Sequence, residues 1–142
     1  MTTTAPHPEA FAEGARLAPY VRTAGLEAWN RYAAVNDEFV GIHMDDEAGR
    51  AAGYPGAIGM GNLIWAWLHA MLEDLLPEGG RVTRLECRFR VPALKSDEIT
   101  CSGVVTARDH GADGSTAVTL DVWADRHTGD RLVTGTAHLL LP

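Results

Sequence analysis

Glu38, His43 and Asp45 lie together in "EFVGIHMD" (38–45), and Gly59 and Gly61 follow in "GMGN" (59–62), just ahead of a long apolar run. An imidazole titrates near neutrality, so His43 can take a proton from water and give it back. A carboxylate five residues earlier, Glu38, can share the same water. If the apolar run is a helix, Gly61 opens it, and the first N–H groups of a helix have no partner inside it. With the positive end of the dipole they favour an oxygen that is acquiring negative charge. The set can therefore move a proton beside a developing oxyanion. Each residue also has a plainer reading: Glu38 as a solvated loop acid, His43 as a hydrogen-bonded structural histidine, Gly59 and Gly61 as the means of a tight turn. Asp45 reads as the cap of the segment after it rather than as a catalyst.

The elements that must position these residues follow from periodicity. "RLAPYVRTAG" (16–25) reads as an opening strand, and "LEAWNRYAAVN" places Leu26, Trp29 and Ala33 at helical spacing. "DDEAGRAAG" has acids at its start and Gly53 at its end, the charge and cap order of a short helix. From Gly61 to Leu76 apolar residues occupy nearly every helical face before Pro77, which predicts a helix buried all round. His69, inside it, reads as a satisfied core histidine rather than a ligand. Beyond "PEGG" the period changes to two: Leu85, Cys87, Phe89 and Val91 point one way and Arg84, Glu86, Arg88 and Arg90 the other, a half-buried strand. Three more strands follow, in "DEITCSGVVTARD", "STAVTLDVWADR" and "RLVTGTAHLLL", parted by "HGADG" and "HTGD", loops of hairpin composition. The fold class is α+β, a run of antiparallel strands whose apolar face needs the one long helix as cover.

The 142 residues suit a single domain. The reading is a loose tail over 1–13 and one domain over 14–142. Apolar residues at 46% and charged residues at 22% are ordinary globular values. A net charge of −7, with twelve scattered Lys and Arg, disfavours nucleic acid as a partner. Cys87 and Cys101 form no CxxC or Cys/His cluster, so neither a disulfide framework nor a zinc site is indicated; both read as buried thiols in strands. The N-terminus lacks the pattern of a secretory signal and no stretch is apolar for long enough to span a membrane, so the expected location is the cytoplasm.

Residues 36–63 resemble the MaoC-like (R)-specific enoyl-CoA hydratases and dehydratases. Members of that family carry D-x-N-P-(I/L)-H-x-D, an alanine-rich helix, an aromatic-containing turn and a segment ending in H-G-M. Here Ile42, His43 and Asp45 match, "AGRAAGYPGAI" supplies the alanine helix and turn with Tyr54, and "GMGN" stands at the last segment. "CRFRVPALKSDEITCSGVV" is similar to the strand pair that follows. The family's aspartate falls on Glu38, its asparagine on Val40, its proline on Gly41 and the histidine before its glycine on Met60. A shift of one residue brings Asp37 to the acid position only by adding a residue before His43.

The resemblance implies a hotdog fold, a curled antiparallel sheet wrapped around one long helix. It further implies hydration or dehydration at the C2–C3 bond of an enoyl or 3-hydroxyacyl thioester of coenzyme A or acyl carrier protein. Glu38 and His43 would be the acid/base pair and the Gly61 N–H the oxyanion donor. Asn62, Met60, Tyr54, Arg88 and Arg90 are candidates for holding substrate, the arginines through the carrier's phosphates. No metal or redox cofactor is needed. The expected partner is a second hotdog chain, identical or similar. Alternatives are a non-catalytic subunit that binds an acyl thioester or an active partner chain, and a hotdog thioesterase.

Overall fold

The computed structural model describes residues 8–142. A 3₁₀ turn, Pro8–Phe11, is followed by β1 (Tyr20–Thr23), α1 (Leu26–Asn36), α2 (Gly41–Met44), α3 (Asp46–Ala51) and α4 (Gly61–Leu75). The chain then forms β2 (Arg81–Phe89), β3 (Glu98–His110), β4 (Thr116–Arg126) and β5 (Arg131–Leu141). The five strands form one antiparallel sheet in the order β1-β3-β4-β5-β2.

Alternation drives the sheet. In β4, Thr116, Val118, Leu120, Val122 and Ala124 are buried, and Ala117 and Asp121 between them are exposed. In β3, Ile99, Cys101 and Val105 face the same core. The apolar faces close over α4 through Leu63, Ile64, Leu68, Met71 and Leu72. This is the curled sheet around a helix that the residues predict.

Several expectations are corrected. The helix is not buried all round: Trp65 is 44% exposed, because one chain's sheet covers a single stripe of it. His69 is no core histidine; half-exposed, it puts Nε2 3.6 Å from Glu73 Oε1 one turn on. The opening strand is shorter than 16–25. Pro19 has no N–H to give the ladder, so Arg16 makes only an isolated bridge with Val104 and continuous pairing begins at Tyr20. β2 stops at Phe89 ahead of Pro92, and Phe89 and Val91 are largely exposed while Leu85 and Cys87 are half-buried. Of the tail read over 1–13, residues 1–7 lie outside the described residues. Phe11 is 2% exposed within the core, and Gly14 N–H donates to the Val105 carbonyl at 2.9 Å.

Both cysteines are free and lie in strands; burial pushes the Cys101 thiol up to about 12 and the half-buried Cys87 thiol to about 11. Among the described residues no helix is long and apolar enough to cross a membrane.

Candidate active site

His43 sits on α2, a single turn. Asp45 ends that turn and caps the next helix, its Oδ1 accepting from Ala48 N at 2.9 Å, which is the cap role its position predicts. The backbone just before His43 and the His43 ring itself are held by a segment that arrives later in the chain. Ile58 N–H donates to the Ile42 carbonyl at 2.9 Å, and His43 Nδ1 lies 2.8 Å from the Ile58 carbonyl. A carbonyl only accepts, so Nδ1 carries the hydrogen. In the neutral ring Nε2 is then left with its lone pair, the state a general base needs.

His43 lines a cleft of about 290 Å³ together with Ile58, Gly59, Gly61, Phe89 and Arg90. Gly61 is the first residue of α4, so the unpaired N–H groups of a helix start open beside it. A Cβ there would lie 3.0 Å from the Phe89 ring, so the glycine also makes room for that side chain. The walls are mainly apolar, which strengthens any hydrogen bond made to a charged oxygen within them.

The other candidate residues are spread around this cleft. Arg90 lines it and also lines a larger groove of about 690 Å³ on the sheet, where it joins Arg88 and Trp123. Arg88 lines that groove and not the cleft. Met60, at 1% exposure, is packed in the core and does not line the cleft; Asn62 is exposed on the first turn of α4 and Tyr54 is 38% exposed in the turn after α3. Glu38 is half-buried just past α1, whose end is fixed by Asp37 in the left-handed region at φ 54°. It is not among the residues lining the cleft in the single chain. Its charge reaches Tyr32, whose phenol is raised first by burial and then by Glu38. The structure therefore brings His43, Gly61 and Arg90 together and leaves Glu38, Met60, Asn62, Tyr54 and Arg88 outside that cleft. Among the described residues no cluster of three or more His, Cys, Asp or Glu is placed to hold a metal ion.

In the sequence Phe89 shows only the period of a strand, and the Ile58 carbonyl gives no sign of its contact with His43. A backbone acceptor carries no side-chain signature, and the one hint was that "GAIGMG" places small residues where two segments must approach closely.

A curled five-stranded antiparallel sheet around one helix is a hotdog fold, and His43 and the glycine start of α4 share a cleft within it. A family model described as "MaoC like domain" matches residues 11–125, and the chain belongs to that family. It is similar in structure to the (R)-hydratase from A. caviae involved in PHA biosynthesis, at 23% identity and a TM-score of 0.83, over 94% of this chain and 99% of that one. It is also similar to the ChsH1-ChsH2 complex from Mycobacterium tuberculosis, at 21% identity and a TM-score of 0.81, over 92% and 98%. The C-terminally truncated HadBC (3R-hydroxyacyl-ACP dehydratase) complex from Mycobacterium tuberculosis matches at 15% and 0.73, over 90% and 96%. At these identities the likeness is one of fold. No curated protein matches the chain in sequence.

Proposed function

We propose that the protein is a cytoplasmic hydratase or dehydratase that adds water to, or removes it from, the C2–C3 bond of an enoyl or 3-hydroxyacyl thioester of coenzyme A or acyl carrier protein. The observation that carries the reading is the His43 hydrogen bond, which fixes the ring with Nδ1 as donor and leaves Nε2 as base in the cleft where α4 begins. In the hydration direction Nε2 takes a proton from water as the water oxygen bonds to C3. The π electrons of the double bond move onto the thioester oxygen, where the Gly61 N–H stabilises the enolate. The enolate collapses as C2 takes the proton that Nε2 removed from water, which restores the carbonyl and the neutral ring. Glu38 serves as second member of the pair, orienting the water by accepting its other O–H. Arg90, and Arg88 beyond it, are suited to the phosphates of the carrier.

Support for a second reading comes from Glu38 and Met60: one carboxylate lies outside the cleft and one family histidine is replaced by a buried methionine. In that reading the chain is a non-catalytic subunit of a hotdog pair. The deciding experiment incubates purified protein with a panel of enoyl-CoA and 3-hydroxyacyl-CoA thioesters and follows enoyl absorbance. Turnover by the protein alone is expected. A protein inert alone and with candidate partner chains, yet binding an acyl-CoA, would leave the subunit reading in its place.

A further inference from the structure

The carbonyl that orients His43 belongs to a loop, and loops keep a carbonyl in place only if something holds them. Residues 56–59 are held from two sides. On one side α3 presses against them without an intervening side chain: a Cβ on Gly49 would lie 2.0 Å from the Gly56 carbonyl oxygen, and one on Gly56 would lie 2.8 Å from Asp46 Oδ1. On the other side lies the turn after β2, where Ile58 forms an isolated bridge with Leu94 and Gly59 N–H donates to the Ala93 carbonyl at 2.8 Å. That turn is itself pinned to β4. Asp97 Oδ2 accepts from Leu94 N at 2.8 Å and lies 3.2 Å from Arg126 Nε in a nearly buried ion pair.

Asp46 joins the two sides. Its Oδ1 accepts from Ala57 N at 2.9 Å, one residue before the carbonyl that holds His43, and its Oδ2 accepts from Lys95 Nζ in the turn. The Lys95 ammonium and the Ala57 N–H together hold the Asp46 carboxyl below its ordinary range. One side chain thus ties α3, the 56–59 segment and the turn after β2 into a closed ring around the acceptor of His43.

We infer that Asp46, with Lys95, is a positioning residue that fixes the tautomer and direction of the His43 ring through Ala57 and the Ile58 carbonyl. The inference uses the proposed role of His43 as base for its effect on rate, but its primary readout is independent of that role. When the partner of a working histidine is lost, its ring samples both tautomers and activity typically falls roughly 10- to 100-fold.

The test is ¹⁵N NMR of the histidine ring together with kinetics. In the wild type with the ring neutral, His43 is expected to show the shift pattern of a single Nδ1–H tautomer. In Asp46→Ala the two nitrogens should move towards each other as the tautomers mix, and kcat should fall roughly 10-fold or more with KM little changed. Asp46→Asn keeps an acceptor for Ala57 and Lys95→Met keeps the carboxylate, so each should show a smaller movement in the same direction. A folded Asp46→Ala with wild-type nitrogen shifts and wild-type kcat overturns the inference. If Asp46→Ala does not fold, the two milder variants decide, and wild-type shifts in both overturn it. Tautomer mixing in a protein that turns over no thioester would uphold the positioning role and remove the proposed reaction.

Discussion

Gly49→Ala is a substitution whose sign separates two descriptions of the structure. In an open helical position alanine is favoured over glycine by about 1 kcal/mol, so a loosely packed α3 would be stabilised. Here the new methyl would meet the Gly56 carbonyl oxygen at 2.0 Å, the Gly56 carbonyl carbon at 2.3 Å and Ala57 N at 2.8 Å, all of them backbone. Ordinary carbon–oxygen contact lies near 3.3 Å, so α3 and the 56–58 segment must part by more than about 1 Å. Overpacking of this kind costs about 3 kcal/mol at the upper end of the usual range, which outweighs the propensity gain and leaves a net loss of about 2 kcal/mol. For a domain of this size that lowers Tm by roughly 6 °C. The same displacement carries the Ile58 carbonyl away from His43 Nδ1, and a misplacement of about 1 Å can lower kcat on the order of 10²-fold. Thermal unfolding followed by circular dichroism measures the first effect and initial rates on a thioester substrate the second. A Tm equal to or above that of the wild type, with unchanged kcat, would refute the close approach of α3 and with it the account of how the histidine is held.

His43→Ala and Glu38→Gln should each lower kcat by roughly 10²-fold or more with a smaller effect on KM, and Glu38→Asp should weaken a site built around the longer acid. A gain of activity in Glu38→Asp would instead mark a lapsed site. Gly61→Val should abolish turnover without unfolding the protein, since the half-exposed Phe89 ring can swing away from the new side chain while the helix start is blocked; a folded variant with the normal rate would remove the oxyanion role. Light scattering at micromolar concentration should give a dimer, because among the described residues β1 and β2 are the unpaired edges of the sheet, and Trp65, Phe89 and Val91 are exposed; a monomer counts against it. The Asp46 carboxyl is depressed in the folded protein, so the stability it contributes is present above about pH 4, the unfolded value, and is lost as pH falls through the folded one. Urea unfolding of wild type and Asp46→Asn should therefore differ at pH 6, and the difference should shrink as the pH is taken below about 4; a gap that stays constant on acidification would contradict the linkage.

The sheet was readable because burial enforces a period. Val118, Leu120, Val122 and Ala124 in β4 could only face one way, and the loops "HGADG" and "HTGD" fixed where the chain turned back. The helix starting at Gly61 was readable for the same reason, but its burial was overestimated: composition reports that Trp65 is apolar, not which surfaces a single chain has available to cover it. At the site, side-chain chemistry singled out His43 and Gly61, and the structure places both in one cleft. The parts that hold them stayed hidden. Ile58 contributes a carbonyl, Gly49 and Gly56 contribute the lack of a side chain, and Asp46 and Lys95 lie forty-nine positions apart in the chain. None of these leaves a local pattern, since each depends on tertiary approach rather than on spacing.

The order β1-β3-β4-β5-β2 places the strands before and after the helical segment on opposite margins of the sheet. Everything from Ala24 to Gly80, including Glu38, His43 and Gly61, is one continuous insert between those margins, while β3, β4 and β5 pair with one another as a meander. The insert's first residue is clasped by the turn before β3, with Ala24 N–H donating to the Asp97 carbonyl and Ser96 N–H to the Ala24 carbonyl. Such a chain works as a cassette and a frame. Substitutions at positions 38, 40 and 41, none of them in the core, can accumulate in the cassette without loosening the frame, so selection can tune or silence the chemistry and keep the subunit. An engineer can likewise exchange the segment with that of another hotdog chain and expect the meander to receive it, provided that Leu63, Ile64, Leu68, Met71 and Leu72 keep their volumes against the sheet.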